Sequence, residues 1–306
     1  MLLISDKTLF DTIRIKNKLV KVPKEVQRLT KTPFNWKGFE WVPIFGNNNF
    51  PRCYTSKQKN LQLKIENNYL YVTNSLQKFY KGNNYTSFTY QEVLKAVYLL
   101  NKTLPIDIYT ADIIKLSVGV IINKNPKLIL DEWISYATKP YAPMMRKNKI
   151  YGSKFHLTDY YLKGYDKKFE VKNHNQINLD RDTFRFEIEG KTKYFNNKTN
   201  KVNVYKVNDL IEYSKFKKLG NLLLVKYLEI EKLPKLDLSK CSLKEKRMIA
   251  SFTNYNILES IKKQHPETYK KDRKSYNKMM NNLNNSAFQN QVINQLKDQI
   301  NYSMNN

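Results

Sequence analysis

Alternation of apolar and polar positions predicts strands along the first two-thirds of the chain. Leu61, Leu63 and Ile65 alternate with polar neighbours, so a strand here places its apolar side chains on one face. Further alternating or β-branched apolar runs mark the other strand predictions. The predicted strands cover residues 7–15, 39–45, 60–76, 112–123, 155–165 and 183–189.

Two segments between these strands have the spacing of amphipathic helices. Residues 89–92 form a capping box, and Asn125-Pro126 opens a second helix because proline fits the first helical position. The apolar residues assigned to the two helices are Val93, Val97, Leu100 and Leu104, and Ile129, Leu130, Trp133 and Ile134. The order of elements predicts an α+β fold with a central, mostly antiparallel sheet.

The last third of the chain reads as helical. One helix is predicted over 208–228 with an interruption at Gly220, and Ser242 begins a second capping box. Pro234 marks a plausible boundary near residue 235, and the broader division is an α+β domain over 1–203 and a helical region over 204–306. A final helix has apolar residues four apart, which favours core packing, with partner binding as the alternative. These residues are Phe288, Val292, Leu296 and Ile300.

Charge is the strongest compositional signal. The 306 residues contain 54 Lys and Arg against 27 Asp and Glu, which gives a net charge of +27. Self-repulsion of this size is best relieved by a polyanion, so nucleic acid is the leading partner and an anionic membrane surface the next. The alternative is the codon bias of an AT-rich genome, because Lys far outnumbers Arg and Asn is abundant.

Other residue counts restrict the class of protein. Two cysteines, Cys53 and Cys241, exclude a disulfide framework and a four-cysteine zinc site. The first residues lack a charged segment before a leader-like apolar run, and no apolar stretch approaches the roughly 18 residues of a membrane span. We therefore expect a cytoplasmic protein with no membrane partner.

The sequence lacks the residue patterns that several kinds of enzyme require. His156, His174 and His265 are far apart, and none has metal-ligand spacing. With 8 Gly in the chain there is no glycine-rich phosphate loop, and no Gly-x-Ser-x-Gly motif occurs. Hydride transfer, ATP-dependent chemistry and serine hydrolysis are thus excluded as first hypotheses.

Two strands carry polar residues of interest. In 183–189, Arg185, Glu187 and Glu189 share one face, which suits a half-solvated strand or an acidic pair holding a divalent cation over a phosphate. In 155–167, Tyr161 and Lys163 share a face with Asp159 and Tyr165. A tyrosine beside a lysine can attack a phosphodiester, whereas packing and base stacking are the alternative roles.

The motifs, taken in order, resemble those of replication initiators of the filamentous-phage gene II/gene X type, including replication proteins of Bacteroidetes phages and plasmids. The similarity runs in order over about 200 residues and continues more loosely to about Tyr276. The matching segments are 10–15, 74–85 with Phe88, 161–167, 184–187 with Lys191, and 208–210.

This resemblance implies a rolling-circle initiator that nicks DNA. In such proteins a tyrosine attacks an origin phosphodiester with Mg²⁺ or Mn²⁺, is linked to the 5′ phosphate and frees a 3′ hydroxyl. Carried over, Tyr161 is the nucleophile, Lys163 assists at the phosphate, and Glu187 and Asp11 hold the metal. The implied DNA contacts are Arg185, Lys78, Lys115, Tyr165, Lys167 and Lys191. The implied partners are single-stranded DNA or origin duplex, and host replication proteins.

The chain departs from the family pattern at two polar positions. Gln77 stands where histidine is common, and Ser117 stands where a metal carboxylate is expected, although serine is a poor ligand for these cations. Either the metal site is rebuilt around Glu187 and Asp11, or the protein binds DNA without nicking it. A generic basic RNA-binding module is a third hypothesis. The nicking hypothesis predicts that Asp11, Ser117, Tyr161 and Glu187 lie on neighbouring strands of one sheet face.

Overall fold

A computed structural model describes residues 9–58, 60–232, 241–283 and 287–305. The strands are β1 Phe10–Lys18, β2 Phe34–Trp36, β3 Phe39–Phe45, β4 Pro51–Gln58, β5 Leu61–Glu66, β6 Tyr69–Ser75, β7 Asp112–Ile122, β8 Trp133–Tyr136, β9 Lys139–Pro140, β10 Ala142–Arg146, β11 Lys149–His156, β12 Tyr160–Asp166, β13 Phe184–Lys191 and β14 Glu231–Lys232.

Helices follow or connect these strands. They are α1 Lys24–Gln27, α2 Leu76–Lys81, α3 Tyr90–Thr103, α4 Pro126–Leu130, α5 Lys167–Asn175, α6 Thr192–Phe195, α7 Tyr213–Leu228, α8 Leu243–Thr253, α9 Tyr255–Gln264, α10 Pro266–Leu283 and α11 Ala287–Asn305, with a 3-10 turn at Val207–Ile211. Among these helices, none is long and apolar enough to cross a membrane.

One large sheet organises the fold. Eleven of the described strands pair in the order β10-β11-β12-β13-β7-β1-β6-β5-β4-β3-β2, and the pairings between them are antiparallel. The predicted α+β class with a mostly antiparallel sheet and a helical C-terminal part is confirmed. The long strand β7 lies near the middle because its apolar residues are buried along most of its length.

The two faces of this sheet differ because the strands alternate. Ile13, Ile15, Val118 and Ile188 are buried in one core cluster with apolar residues of α3, α7 and α11. The residues next to them along each strand place polar side chains on the other face. We call it the polar face, and it bears Arg14, Lys115, Ser117, Glu187, Glu189, Tyr161 and Lys163 in the centre of the sheet.

The C-terminal helices pack in two groups. Val292, Leu296 and Ile300 of α11 are buried in the core cluster of the sheet, so core packing of the final helix is confirmed. Helices α8 to α10 have a second small cluster that includes Phe252 and Tyr276. The capping box at Ser242 is present. The division at residue 203 stays a prediction, and Pro234 lies outside the described residues.

The predicted interruption of the helix at Gly220 is wrong. Helix α7 continues through this residue, and a Cβ there would lie 2.7 Å from Ile300 Cγ2 of α11. Glycine is therefore explained by a close approach of two helices rather than by a break. The chain before it, at Val207–Ile211, is a 3-10 turn instead of the start of α7.

Several other element boundaries differ from the prediction. The strand predicted over 155–165 is two strands, since the Leu157 amide donates to the Tyr160 carbonyl at 3.0 Å and reverses the chain. The run at 60–76 is likewise a hairpin, β5 and β6. Helix α4 ends at Leu130, and Trp133 begins strand β8 rather than continuing the helix.

Candidate nucleic-acid interface

The four residues named by the nicking hypothesis converge at the centre of the polar face. Tyr161 of β12 pairs with Glu189 of β13, and Glu189 pairs with Ser117 of β7. Glu187 lies two residues from Glu189 on the same strand, and Asp11 comes from β1, the neighbour of β7. The predicted arrangement on neighbouring strands of one face is therefore confirmed.

Glu187 is surrounded by hydrogen-bond donors. It is 4% exposed. Ser117 Oγ and Lys163 Nζ donate to its Oε1 at 2.8 and 3.2 Å, and Tyr165 Oη and Arg185 Nε donate to its Oε2, each at 3.1 Å. Both carboxylate oxygens are thus occupied by protein donors, two of them cationic.

Arg185 lies entirely inside the protein, at 0% exposure. Its Nη2 is 3.1 Å from Asp11 Oδ2, and its Nη1 donates to the Asn84 carbonyl at 3.2 Å. Ser75 Oγ donates to the other oxygen of Asp11 at 2.6 Å. Gly119 leaves room for the guanidinium, since a Cβ there would lie 3.3 Å from Arg185 Nε. Arg185 therefore bridges two carboxylates under the sheet surface.

The network fixes the ionisation of its members. Burial alone would raise the pKa of Glu187, but Lys163 and Arg185 outweigh it and hold that pKa well below its usual range. Burial opposes the charge of Lys163 too, and the carboxylates of Glu187 and Glu189 raise its pKa instead. Burial, followed by the Glu187 charge, raises the pKa of Tyr165. The centre of the polar face is an ion network with fixed charges near neutral pH.

The lowered pKa of Glu187 predicts a loss of stability in acid. Because its folded pKa lies below the ordinary value of 4.5, the stabilisation is complete above that pH and is lost as the pH falls toward the folded pKa. We expect the free energy of unfolding of the wild type, measured by urea denaturation, to fall below pH 4.5 more steeply than that of Glu187→Gln. Glu40→Gln, at an exposed position, is the control and should keep the wild-type slope.

Glu187 and Asp11 already accept hydrogen bonds from protein groups, so a cation between their carboxylates does not fit. Glu187 has four donors, and Asp11 is bound by Arg185 and Ser75. Among the residues that the structure describes, no group of three or more His, Cys, Asp or Glu side chains could hold a metal ion. A divalent ion here would have to displace an arginine and a lysine from their carboxylates.

Tyr161 lies beside this network and outside it. Lys154 Nζ is 3.7 Å from the centre of its ring, and the His156 ring packs edge-on against it. Within the described part of the chain, no protein group hydrogen-bonds the Tyr161 hydroxyl. Burial and the nearby Lys163 lower the pKa of Lys154. Lys154 is therefore a cation in contact with the Tyr161 ring, whereas Lys163 is bound to Glu187 and Glu189.

Two neighbouring cavities open on the polar face. One, of about 610 Å³, is lined by Tyr161, Glu189 and β1. The other, of about 1100 Å³, extends over β3 to β6. Arg14 and Lys115 line both, and we call the two neighbouring cavities together the sheet trough. Its lining cations are Arg14, Lys16, Lys57, Lys64, Lys115, Lys191 and Lys193, and its lining acids are Glu40, Asp112, Asp159 and Glu189.

The residues predicted to contact DNA fall into different places. Lys115 and Lys191 line the sheet trough. Arg185, Tyr165 and Lys167 are buried, so they present no surface to a ligand in this conformation, and their predicted role is not supported by their position. Lys167 Nζ instead donates to Asn84 Oδ1 at 3.0 Å. Lys78 is half-buried on α2.

The two departures from the family pattern have structural roles. Ser117 is 2% exposed and donates to Glu187, so its hydroxyl completes the ion network. Gln77 is buried in α2, and its amide nitrogen donates to the Thr86 carbonyl at 2.7 Å. Gln77 therefore stabilises the connection between α2 and α3.

Sequence reasoning missed several residues of the trough. Arg14 and Lys16 alternate with buried Ile13 and Ile15 on β1, a pattern that could have marked them as cations of the polar face. Tyr71 has Arg14 5.8 Å and Lys64 4.9 Å from its ring centre. Such cross-strand partners depend on sheet register, which the sequence alone does not provide.

Comparisons with known proteins add a weak structural similarity. Neither a protein-family model nor a curated protein matches the sequence. A solved structure, that of a rolling circle replication initiator protein from Geobacillus stearothermophilus, aligns with 79% of this chain and 91% of that chain. The identity is 14% and the TM-score is 0.40. A similarity at this level carries no argument about function.

Proposed function

We propose that this chain is a replication-initiator-like protein that binds single-stranded DNA along the sheet trough and nicks it with Tyr161. The observation that supports this most is the trough itself, a pair of cation-rich cavities beside an accessible tyrosine. The motif resemblance over residues 10–210 gives independent support. Seven lysines and arginines against four acids line the trough, which favours a polyanionic ligand.

The aromatic residues of the trough suit unpaired bases. Tyr71 lies between Arg14 and Lys64, and Tyr161 lies under Lys154. A base stacked on such a ring contributes ~1–3 kcal/mol, and neighbouring cations can bind the flanking phosphates. Bases in a duplex are already stacked on one another, so this arrangement favours a single strand.

The nicking step assigns one role to each group near Tyr161. The Tyr161 hydroxyl gives its proton to water and its oxygen attacks the phosphorus, a phenol oxygen–phosphorus bond forms, and the bond from phosphorus to the 3′ oxygen breaks. The products are a 5′-phosphotyrosyl link and a free 3′ hydroxyl. Lys154 is placed to neutralise the phosphate, and its lowered pKa suits it to give a proton to the departing 3′ oxygen.

A second candidate is a DNA-binding protein without nicking activity. The saturation of Glu187 by Ser117, Lys163, Tyr165 and Arg185 favours it, because a carboxylate with four donors is a poor ligand for Mg²⁺ or Mn²⁺. Both candidates use the same trough. They differ only in whether DNA becomes covalently attached to Tyr161.

DNA binding by the trough predicts a strong dependence on salt. The slope of log affinity against log salt should be about −0.7 for each phosphate neutralised on a single strand. Arg14→Ala/Lys16→Ala should lower the affinity and make this slope shallower by about 0.7 for each phosphate that the variant no longer neutralises. The measurement is fluorescence anisotropy of a labelled oligonucleotide across a salt series.

The matched control removes two exposed cations from the opposite side of the sheet. Lys95→Ala/Lys102→Ala on α3 changes the net charge equally and should leave the slope unchanged. Equal effects of the two double variants would mean that the overall charge, and not the trough, attracts DNA. A flat salt response of the wild type would rule out the proposed function.

A further inference from the structure

The two cavities of the sheet trough differ in the chemistry of their linings. Asn35, Gln58 and Gln62 line the larger cavity, whereas no Asn or Gln is among the described residues that line the smaller one beside Tyr161. An amide side chain is neutral and carries a donor next to an acceptor, as the edge of a base does, and phosphates are bound largely by cations. The larger cavity is therefore suited to bases and the smaller one to phosphates.

Sheet register places Gln62 in a row of paired side chains on the polar face. From β7 to β4 the row consists of Lys115, Arg14, Thr73, Gln62 and Lys57. Directly paired residues share a face of the sheet, so all five side chains face the trough. The amide of Gln62 thus lies in the floor of the larger cavity, in a row that has cations at both ends.

Gln62 is the amide best placed to meet a ligand in the trough. The residue is exposed, and within the described part of the chain no protein group hydrogen-bonds its side chain. Gln58 pairs with the buried Leu61, so it belongs to the opposite face of the sheet. Asn35 comes from β2, three strands away at the edge of the sheet.

An aromatic ring lies beside this amide. Tyr71 is two residues from Thr73 on β6, and Thr73 pairs with Gln62 of β5. Residues in such diagonal positions on paired strands are about 7–8 Å apart. A base stacked on Tyr71 would therefore have its edge within reach of the Gln62 amide. The cations beside the ring, Arg14 and Lys64, can bind the phosphates that flank this base.

We propose that Gln62 selects adenine at one position of the bound strand, with that base stacked on Tyr71. The amide oxygen accepts from the 6-amino group of adenine and the amide nitrogen donates to N7, which is the bidentate pairing that glutamine makes with this base. Stacking on Tyr71 is open to every base, so the selection comes from the amide. This inference rests on the proposed function, because the trough must first bind a single strand.

The selected base lies away from the attacked phosphodiester. Strand β5, which carries Gln62, is five strands from β12, which carries Tyr161. At ~4.8 Å between neighbouring strands, the two side chains are about 24 Å apart across the sheet. A stacked strand advances ~3.4 Å per nucleotide, so at most about seven nucleotides separate the selected base from the nick. The protein would therefore read the sequence beside the bond that Tyr161 attacks.

The test measures binding of oligothymidine strands of about 16 nucleotides, which carry one central adenine, cytosine or guanine or no replacement. We expect the wild type to bind the adenine strand about tenfold more tightly than the other three, because a bidentate pair discriminates between bases to about this extent. Gln62→Ala should bind all four strands alike.

Two other variants separate base selection from general binding. Lys57→Ala removes the cation paired with Gln62, so it should weaken binding of all four strands equally and keep the preference for adenine. Gln91→Ala removes an exposed amide from α3, on the opposite side of the sheet, and should behave as the wild type.

Two adenine analogues test the pairing atom by atom. Purine lacks the 6-amino donor, and 7-deazaadenine lacks the N7 acceptor. Placed in the central position, each should remove most of the preference in the wild type. Neither should alter the binding of Gln62→Ala, because that variant has no amide to pair with the missing group.

The outcomes separate base selection from the proposed function. If the wild type binds none of the strands, both fail. Equal binding of all four strands, or a preference for adenine that survives in Gln62→Ala, would refute the selection and leave the proposed function standing. A preference that is lost in Gln62→Ala but is insensitive to both analogues would also refute it. A preference for another base would overturn the assignment of adenine.

Discussion

Tyr161→Phe is expected to abolish covalent attachment of DNA while leaving DNA binding intact. Removing the phenol oxygen removes the attacking atom, and no neighbouring group replaces it. The assay incubates the protein with Mg²⁺ or Mn²⁺ and a labelled single-stranded oligonucleotide pool, and with supercoiled DNA. Label that stays with the denatured protein reports the 5′-phosphotyrosyl link, and relaxed circles report nicking.

Tyr160→Phe is the matched control because the adjacent side chain points to the other face. The Tyr160 ring stacks on Tyr194 at 3.7 Å between centres, and its hydroxyl is 3.0 Å from that of Tyr136. This variant should keep the adduct. Adduct loss in Tyr160→Phe with retention in Tyr161→Phe would reverse our assignment. Salt-dependent binding with no adduct from the wild type would establish the non-catalytic candidate.

The spacing of apolar and polar residues predicted several strands and the residues that share a face. The β-branched apolar run at 112–123 and the alternation along 183–189 predicted two strands that are found. A period of two residues placed Ser117 with Lys115, and Arg185 with Glu187, on common faces. Neighbouring strands bring these faces together, so the convergence of the predicted site followed from local pattern and motif order. Helix α3 was also predicted, because its capping box and its apolar spacing are both local features of the sequence.

Features set by distant contacts could not be predicted. Nothing at Leu157–Asp159 interrupts the strand pattern with glycine or proline, so the turn between β11 and β12 was missed. The sheet trough depends on Arg14 pairing across to Lys115 and Thr73, which is a matter of register. Lys154 lies against Tyr161 because the turn that the sequence did not predict pairs β11 with β12.

Arg185 is the clearest example of a residue whose environment depends on contacts distant in sequence. Alternation of Arg185 and Glu187 with Phe184 and Phe186 is typical of a strand with one solvated face. The segment that carries Asn84 covers the guanidinium, and that contact spans 101 residues of sequence. A residue predicted to touch DNA is therefore a buried bridge between two carboxylates.

Arg185→Met should therefore destabilise the fold by about 3–5 kcal/mol, which is typical when one partner of a buried ion pair is removed. Methionine fills much of the volume but leaves Asp11 and Glu187 without their shared cation. The free energy of unfolding from urea denaturation at pH 7 measures the effect. Lys191→Ala is the control, because its exposed ammonium lies 3.6 Å from Asp159 and such surface pairs contribute ~0–1 kcal/mol.

Adding Glu187→Gln tests whether the two side chains act as a pair. Since each single change disrupts the same network, the double variant should lose less stability than the sum of the single losses. Stability close to wild type for Arg185→Met, together with a loss of DNA affinity like that of Arg14→Ala/Lys16→Ala, would mean that this arginine reaches DNA. The ion network would then be a contact surface rather than the support beneath it.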